Sequence, residues 1–279
     1  MDARRVPILT YHSHRISGEA YETNDHEALR SDLRTLHQRG FRVVPLLWVV
    51  EWLLGRRSDA SMARAVAITF DDGADFDFYD LEHPSWGPQR SFFNLLLDFR
   101  NEIGAAAQPD LQATAFVIAS PVVRAELDAG CMIGKGWMSD GWWAQADHSG
   151  LMVVQNHSWD HNHPVASRVC QRDQRKGSFV WIETEAECDA EVVQAAQFIA
   201  DKVRPSWPGL FAYPGGASSD FLREVYFPSQ IERHCTLAAF RGDGGYVERD
   251  SPRWNVPRFV FGADWSDAQQ FEGILRGAA

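Results

Sequence analysis

Apolar and polar positions along the chain follow two alternating periods. Short runs rich in β-branched and aromatic residues, each bounded by turn formers, recur at VPILTY (6–11), FRVV (41–44), AVAITF (65–70), ATAFVI (113–118), LMVVQ (151–155), LFAY (210–213), TLAAF (236–240) and RFVF (258–261), and read as strands. Between them the spacing becomes helical. Leu29, Leu33 and Leu36 predict a helix over about 26–39, and Val192, Ala195, Ala196 and Ile199 share one face of the longest helix. That helix is predicted to begin at Thr184, where Thr184 and Glu187 have capping-box spacing; Ser266 and Gln269 repeat the spacing before a final helix carrying Phe271, Ile274 and Leu275. Strands alternating with helices over 279 residues predict an α/β fold: a distorted (β/α) barrel of seven or eight units, one domain spanning 1–279. An open doubly wound sheet is the alternative. Two stretches interrupt the alternation: 74–91, an aromatic and acidic insertion after a strand end, and the polar, arginine-rich 164–181. GWWAQAD (141–147) reads as a helix with one indole inside and one outside.

Composition narrows the classes. With 45% hydrophobic and 23% charged residues the chain has ample core for a folded domain, which excludes disorder and collagen. The net charge of −11 argues against nucleic acid as a partner. No apolar stretch approaches a membrane span, and the opening MDARRVPILTYHS has too short an apolar run for a signal peptide, so a cytoplasmic location is expected. The four cysteines, at 131, 170, 188 and 235, lie far apart, which suits reduced thiols better than a disulfide framework or a thiolate metal site.

Candidate chemistry sits just past three strand ends, where a barrel of this type carries its site. AVAITF runs into Asp71-Asp72-Gly73, so one carboxylate could ligate a metal while its neighbour faces substrate; a simple Asp-Gly turn is the bland alternative. LMVVQ runs into Asn156-His157-Ser158-Trp159-Asp160-His161-Asn162-His163. His157 and His161 have the four-residue separation that puts two imidazoles on one side of a helical turn, and two imidazoles with one carboxylate hold a divalent cation while leaving positions open. A polar loop is the alternative there, and His163 either replaces a ligand through a 157/163 pairing, caps the turn or lines the cleft. LFAY runs into Pro214-Gly215-Gly216, whose backbone N–H groups could hold an oxyanion or simply form a turn.

In this order, strand-TFDDG, strand-NHSxxH and strand-FAYPxG closely resemble the polysaccharide deacetylase family, the NodB-homology or carbohydrate esterase family 4 enzymes, over about residues 6–261. The opening VPILTYH resembles the branch that starts with a Tyr-His strand. The resemblance implies a metal-dependent hydrolase that removes acetyl groups from an N-acetylated or O-acetylated sugar or polysaccharide. It implies Asp71 as general base, Asp72, His157 and His161 as metal ligands, Ser158 as support for the loop, and a metal-activated water as nucleophile. The N–H of Gly215 would help hold the oxyanion, with Tyr213 and Pro214 beside the substrate. The implied cofactor is a divalent metal, Zn²⁺ first, with Co²⁺, Ni²⁺ or Fe²⁺ as substitutes. The implied partner is an acetylated amino-sugar oligomer or polysaccharide.

The chain also departs from that pattern. Ala212 stands where many relatives have the arginine that pairs with the catalytic aspartate, and Gly215 where they have an aromatic residue. Arg258, arriving from a later strand, is the candidate substitute. The C-terminal Leu-x-His of many members is missing, and the Tyr-His branch nominates His12 as general acid; its alternative is a strand-end histidine that closes the barrel. The 11 tryptophans include Trp137, Trp142, Trp143 and Trp159 on or before the histidine motif and Trp86 in the 74–91 insertion. Aromatic faces stack on sugars, which nominates Trp86 and Trp159 as substrate-binding, although packing would explain most of them. Two competing readings remain: a hydrolase of small cyclic amides or ureides on the same fold, and a catalytically silent glycan-binding protein.

Overall fold

The computed structural model describes residues 4–278, so the outermost residues of the N-terminal stretch read for a targeting signal, and of the span 1–279, lie outside the described residues. The strands, in chain order, are β1 (Ile8–Tyr11), β2 (Arg42–Val43), β3 (Ala65–Phe70), β4 (Leu81–His83), β5 (Gly87–Gln89), β6 (Ala113–Val117), β7 (Met152–Asn156), β8 (Leu210–Ala212), β9 (Ala238–Phe240) and β10 (Phe259–Val260). All but β4 and β5 join one parallel sheet in the order β10-β1-β3-β6-β7-β8-β9, with β2 beside the start of β3. The order from β1 to β9 never reverses, so there is no switch point and the open doubly wound alternative is excluded. Past β9, Phe240 bridges Val256 in parallel, and the chain from Val256 runs on into β10 beside β1. The sheet thereby curls into a distorted (β/α) barrel.

Alternation along the strands divides the core. Ile8, Ala67, Phe116, Ala212, Ala238 and Phe240 form one apolar cluster with Val256, and Phe116 meets Phe240 at 5.8 Å between ring centroids. Small alanines opposite large rings fill the barrel interior. The other strand face, with Leu9, Tyr11, Ile68, Phe70, Val117 and Val154, packs against the helices α1 (Asp25–Gln38), α3 (Phe92–Ile103), α5 (Trp143–His148) and α7 (Ala195–Val203). Both faces are covered, which is why β3 is buried at every position and reads as an unbroken apolar run.

The predicted elements are largely present, with instructive differences. Thr184 does cap its helix: its Oγ1 accepts the Glu187 N–H at 3.3 Å while Glu187 Oε2 accepts the Thr184 N–H at 2.9 Å. The helix that follows, α6 (Glu185–Cys188), passes through a π-helical segment, Asp189–Gln194, before α7, a feature that leaves no mark in the apolar period. At the final helix, Ala268–Ala278, the cap is one residue later than expected. Asp267 Oδ1, not Ser266, accepts the N–H of Gln270, because a carboxylate at that position reaches the free amide directly. GWWAQAD is also corrected: Trp142 and Trp143 are both fully buried, one against Phe78 and the other against Phe198, since a second layer covers the face expected to be open. Helix α2 (Leu46–Leu53) had no readable apolar stripe because it is apolar on nearly every side. Within 74–91 the chain forms the antiparallel hairpin β4–β5. Among the described residues no helix is long and apolar enough to cross a membrane.

Candidate active site

Parallel register brings the three motifs to one rim. Tyr11 pairs with Phe70, Phe70 with Ala115, Val117 with Asn156, and Asn156 with Phe211, so the residues following β1, β3, β7 and β8 emerge side by side. After β3 the backbone turns sharply: Asp72 has φ 78° and Gly73 φ 76°. A Cβ at Gly73 would sit 2.7 Å from a Val117 methyl, so this exit admits glycine alone. The turn sends the two carboxylates apart, Asp71 into the barrel and Asp72 toward the histidines.

Asp72 Oδ1 lies 3.4 Å from His157 Nε2 and 3.5 Å from His161 Nε2. One ligand atom from each of the three residues lies within 4.8 Å of the others. His157 Nδ1 donates to the carbonyl of Ala212 at 2.9 Å, which directs Nε2 at Asp72; burial pulls the His157 pKa down, but Asp71 and Asp72 outweigh it and raise it, so a cation at Nε2 would take the place of a proton. Two imidazole nitrogens and one carboxylate oxygen, with a backbone carbonyl orienting one imidazole, fit a divalent cation such as Zn²⁺. The histidines are not on a helical turn, as their spacing suggested. They come from a loop in which Ser158 (φ 74°), His161 (φ 63°) and Asn162 (φ 43°) are left-handed. Such backbone persists only where neighbours over-determine it. Here Ser158 Oγ accepts the His161 N–H at 2.9 Å, Asn156 Oδ1 accepts the Ser158 N–H at 2.9 Å, and Glu191 Oε2, on the π-helical segment, accepts the N–H of Trp159 at 3.0 Å.

Asp71 is gripped by Arg258, whose Nη1 and Nη2 donate to its two oxygens at 2.7 Å each. Arg258 is itself buried and donates further to the Arg241 carbonyl and Thr69 Oγ1. Burial alone would raise the Asp71 pKa, but the Arg258 guanidinium and then His157 outweigh it and hold the carboxyl below its ordinary value. His161 responds oppositely: burial pulls it down to about 3, so it is neutral with a lone pair to offer. His12 follows β1, its N–H held by Asp25 Oδ2 at 2.8 Å and its buried Nδ1 without a partner; burial pulls it down to about 4.

Beside Asp72 and His161 lies a cavity of about 80 Å³, walled by His14, His163, Cys131, Met132, Met138, Ile118 and Leu127. A second recess reaches from His161 and His163 to Pro214 and Gly215. Sequence comparison places this arrangement: the model for polysaccharide deacetylases matches residues 59–227. The chain belongs to the polysaccharide deacetylase family. No curated protein matches its sequence. Among solved structures it is similar to the Streptococcus pyogenes deacetylase PplD in complex with acetate (TM-score 0.64, 15% identity, 99% of each chain covered). It is also similar to IcaB from Ammonifex degensii (TM-score 0.62, 18% identity, covering 99% of this chain and 97% of that one). A de-N-acetylase from Aggregatibacter actinomycetemcomitans gives a TM-score of 0.61 at 15% identity, covering 96% and 99%. At these identities the structures speak for the fold; the family match makes the chain a hydrolase of acetyl groups.

In this polysaccharide deacetylase several expected substrate contacts lie elsewhere. Tyr213 is fully buried, its hydroxyl donating to the Trp254 carbonyl and its ring packed on Phe211 and Phe227, because the apolar phenol completes a core rather than a cleft. Trp159 packs edge-on against Phe198 and lines a different depression, beside Ser120 and Val123. Trp86 stands exposed at the turn of the β4–β5 hairpin and lines neither cavity by the histidines. Gly216 spends its N–H on the Tyr213 carbonyl at 2.9 Å, so of the two candidate oxyanion donors only Gly215 lines the recess. Of the alternatives for His163, the structure shows it lining the cleft and accepting the Val165 N–H at Nδ1, and it stands outside the Asp72–His157–His161 cluster. His14 was missed, although His12-Ser13-His14 at a strand end was visible; its Nδ1 is 3.7 Å from Asp72 Oδ2.

Proposed function

We propose that this deacetylase is metal-dependent and hydrolyses the acetyl group of an N-acetylated or O-acetylated sugar oligomer or polysaccharide. One observation carries the reading: the Asp72–His157–His161 cluster lies beside a carboxylate, Asp71, kept ionised by a bidentate Arg258. Asp72, His157 and His161 would hold the cation. The chemistry it supplies when bound is Lewis-acid polarisation of the acetyl carbonyl and acidification of a water.

The chain's own groups do the rest. Asp71, ionised through the neutral range, takes the proton of the attacking water; Arg258 is its positioning residue and fixes its oxygens, one of them 4.0 Å from His157 Nε2. The N–H of Gly215 is assigned to the developing oxyanion. His12, neutral at rest because burial lowers its pKa, is assigned to take up the proton that Asp71 removes from the water and to pass it to the leaving group, and His14, half-open to the cavity, is the competitor for that role. We take the whole chain, 1–279, as one domain, because His12 and Arg258 come from outside the matched segment 59–227.

Purified protein, stripped with chelator and reloaded with Zn²⁺ or Co²⁺, tests the reading through acetate release from N-acetylglucosamine oligomers and acetylated xylan. Release should vanish on stripping and return on reloading. Release that survives complete metal removal would sink the mechanism and favour the metal-free amide hydrolase; no release from any acetylated glycan would favour a silent binder.

A further inference from the structure

A second group of ligand-type side chains lies behind the histidine loop. A carboxylate oxygen of Asp160, the Cys170 thiol and a carboxylate oxygen of Glu191 all lie within 4.8 Å of one another. We infer that these three residues form a second cation site, suited to a thiophilic divalent ion such as Zn²⁺, that ties the histidine loop to the 164–181 connection and the π-helical segment.

Asp160 and Glu191 are 2% and 0% exposed, so neither carboxylate can rely on bulk water. Asp160 is anchored at both oxygens, Oδ1 accepting the Asn162 N–H at 2.8 Å and Oδ2 the Cys170 N–H at 2.6 Å. Glu191 Oε2 accepts the Trp159 and Asp160 N–H groups at 3.0 and 3.2 Å, yet its buried Oε1 meets no N–H or O–H donor, and the Asp160 carboxyl lies within hydrogen-bonding reach of the Glu191 side chain. A buried acceptor left bare costs about 1–3 kcal/mol unless something occupies it. Among the described residues no lysine or arginine forms an ion pair with Asp160 or Glu191; Arg168 and Arg172 line the depression outside, and Arg172 pairs with Asp173 instead. Such a group either keeps its protons or exchanges them for a cation.

The donor set favours the cation. One thiolate with two carboxylates selects zinc-like ions over Mg²⁺ or Ca²⁺, and three protein ligands leave a fourth tetrahedral position. Cys170 and Asp160 also line a surface depression with Trp159 and Gln171, which supplies a route for the ion and a water. The three ligands come from separate segments, so binding would cross-link them. π-Helical turns recur at functional sites, and this one presents Glu191 to the loop that carries His161.

Cobalt titration of the metal-free protein tests this, because a Co²⁺–thiolate bond has its own near-ultraviolet absorption band. The wild-type chain should bind two Co²⁺ with that band present. A His157→Ala/His161→Ala variant should bind one and keep the band, whatever its activity, which separates this site from the proposed catalytic one. Cys170→Ser should lose the band and one equivalent, whereas Cys131→Ser, changed at the catalytic cavity, should keep both. As a second readout that does not rely on the absorption band, Zn²⁺ should raise the melting temperature of the double-histidine variant but not of the same variant carrying Cys170→Ser. A single equivalent without the band in the wild type, or a band that survives Cys170→Ser, would overturn the proposal in favour of a carboxyl pair sharing a proton.

Discussion

Two carboxylates flank the end of β1, and the same burial leads them to opposite states. Asp71 is 4% exposed and meets a guanidinium; Asp32, 1% exposed, meets the hydroxyls of Tyr11 and Tyr21 at 2.8 Å each and Trp265 Nε1 at 3.3 Å. Both have their oxygens satisfied. Yet Asp71 is held below its ordinary pKa, while burial pushes Asp32 up to about 7 against the pull of its donors. Neutral donors replace lost water contacts but do not offset the cost of a charge in a low-dielectric place, whereas a fixed cation does. A base that must be ionised at neutral pH needs the second environment, and Arg258 supplies it.

The largest expected effect lies in the histidine cluster. His157→Ala should lose bound metal and at least about 10³-fold in kcat/KM, since a Lewis acid contributes several kcal/mol to the transition state; metal analysis beside kinetics checks it. Full metal content with wild-type turnover would remove His157 from the ligand set.

Breaking the Asp71 pair comes next. Arg258→Met should cost about 3 kcal/mol of stability in denaturant unfolding, because it strands a buried charge. Burial then acts on Asp71 with only the histidines, His157 first, against it, so its pKa rises and the low-pH limb of kcat/KM moves to higher pH. A limb that stays put would mean that Asp71 is not the base.

Asp32 sharpens the contrast from the other side. Its folded pKa of about 7 lies above the unfolded value, so the native state binds the extra proton between the two. Its contribution is therefore greatest at low pH and declines as pH rises from about 4 to about 7. Asp32→Asn, neutral throughout, should flatten that part of the stability–pH curve, by about 4 kcal/mol across the window at about 1.4 kcal/mol per pH unit; an unchanged slope would show Asp32 ionised in the fold. The smallest effect is expected at Trp86: Trp86→Ala at the exposed hairpin turn should change kcat/KM by less than about twofold, the scale of a surface substitution. A larger loss on long oligomers alone would restore it as a distant sugar contact.

The residues proposed as metal ligands and base were legible because each follows a strand with an unmistakable apolar run, and parallel strands deliver such ends to one rim. Thr184 and its capping box were legible for a similar reason, since both partners lie within one turn. The aromatic residues were not. Whether an indole or a phenol packs or stacks on sugar depends on which layer covers it, and Tyr213, Trp142, Trp143 and Trp159 were each met by apolar neighbours distant in sequence. His14 went unread because a single histidine two positions from another has no period to mark it.

By itself the sequence determined the strands of the main sheet, though not the β4–β5 hairpin, their alternation with helices, and that Asp71, Asp72, His157 and His161 stand just past strand ends. These follow from local periodicity and from chemistry confined to a few consecutive residues. Only the tertiary structure decided the contacts across the barrel. Arg258 could be nominated from sequence, but its two bonds to Asp71 span 187 positions and exist because β10 closes beside β1. The pairing of Glu191 with the histidine loop depends in the same way on a helix that packs where no local pattern could say. Charge balance inside a protein is set by what the fold brings near, and that is decided last.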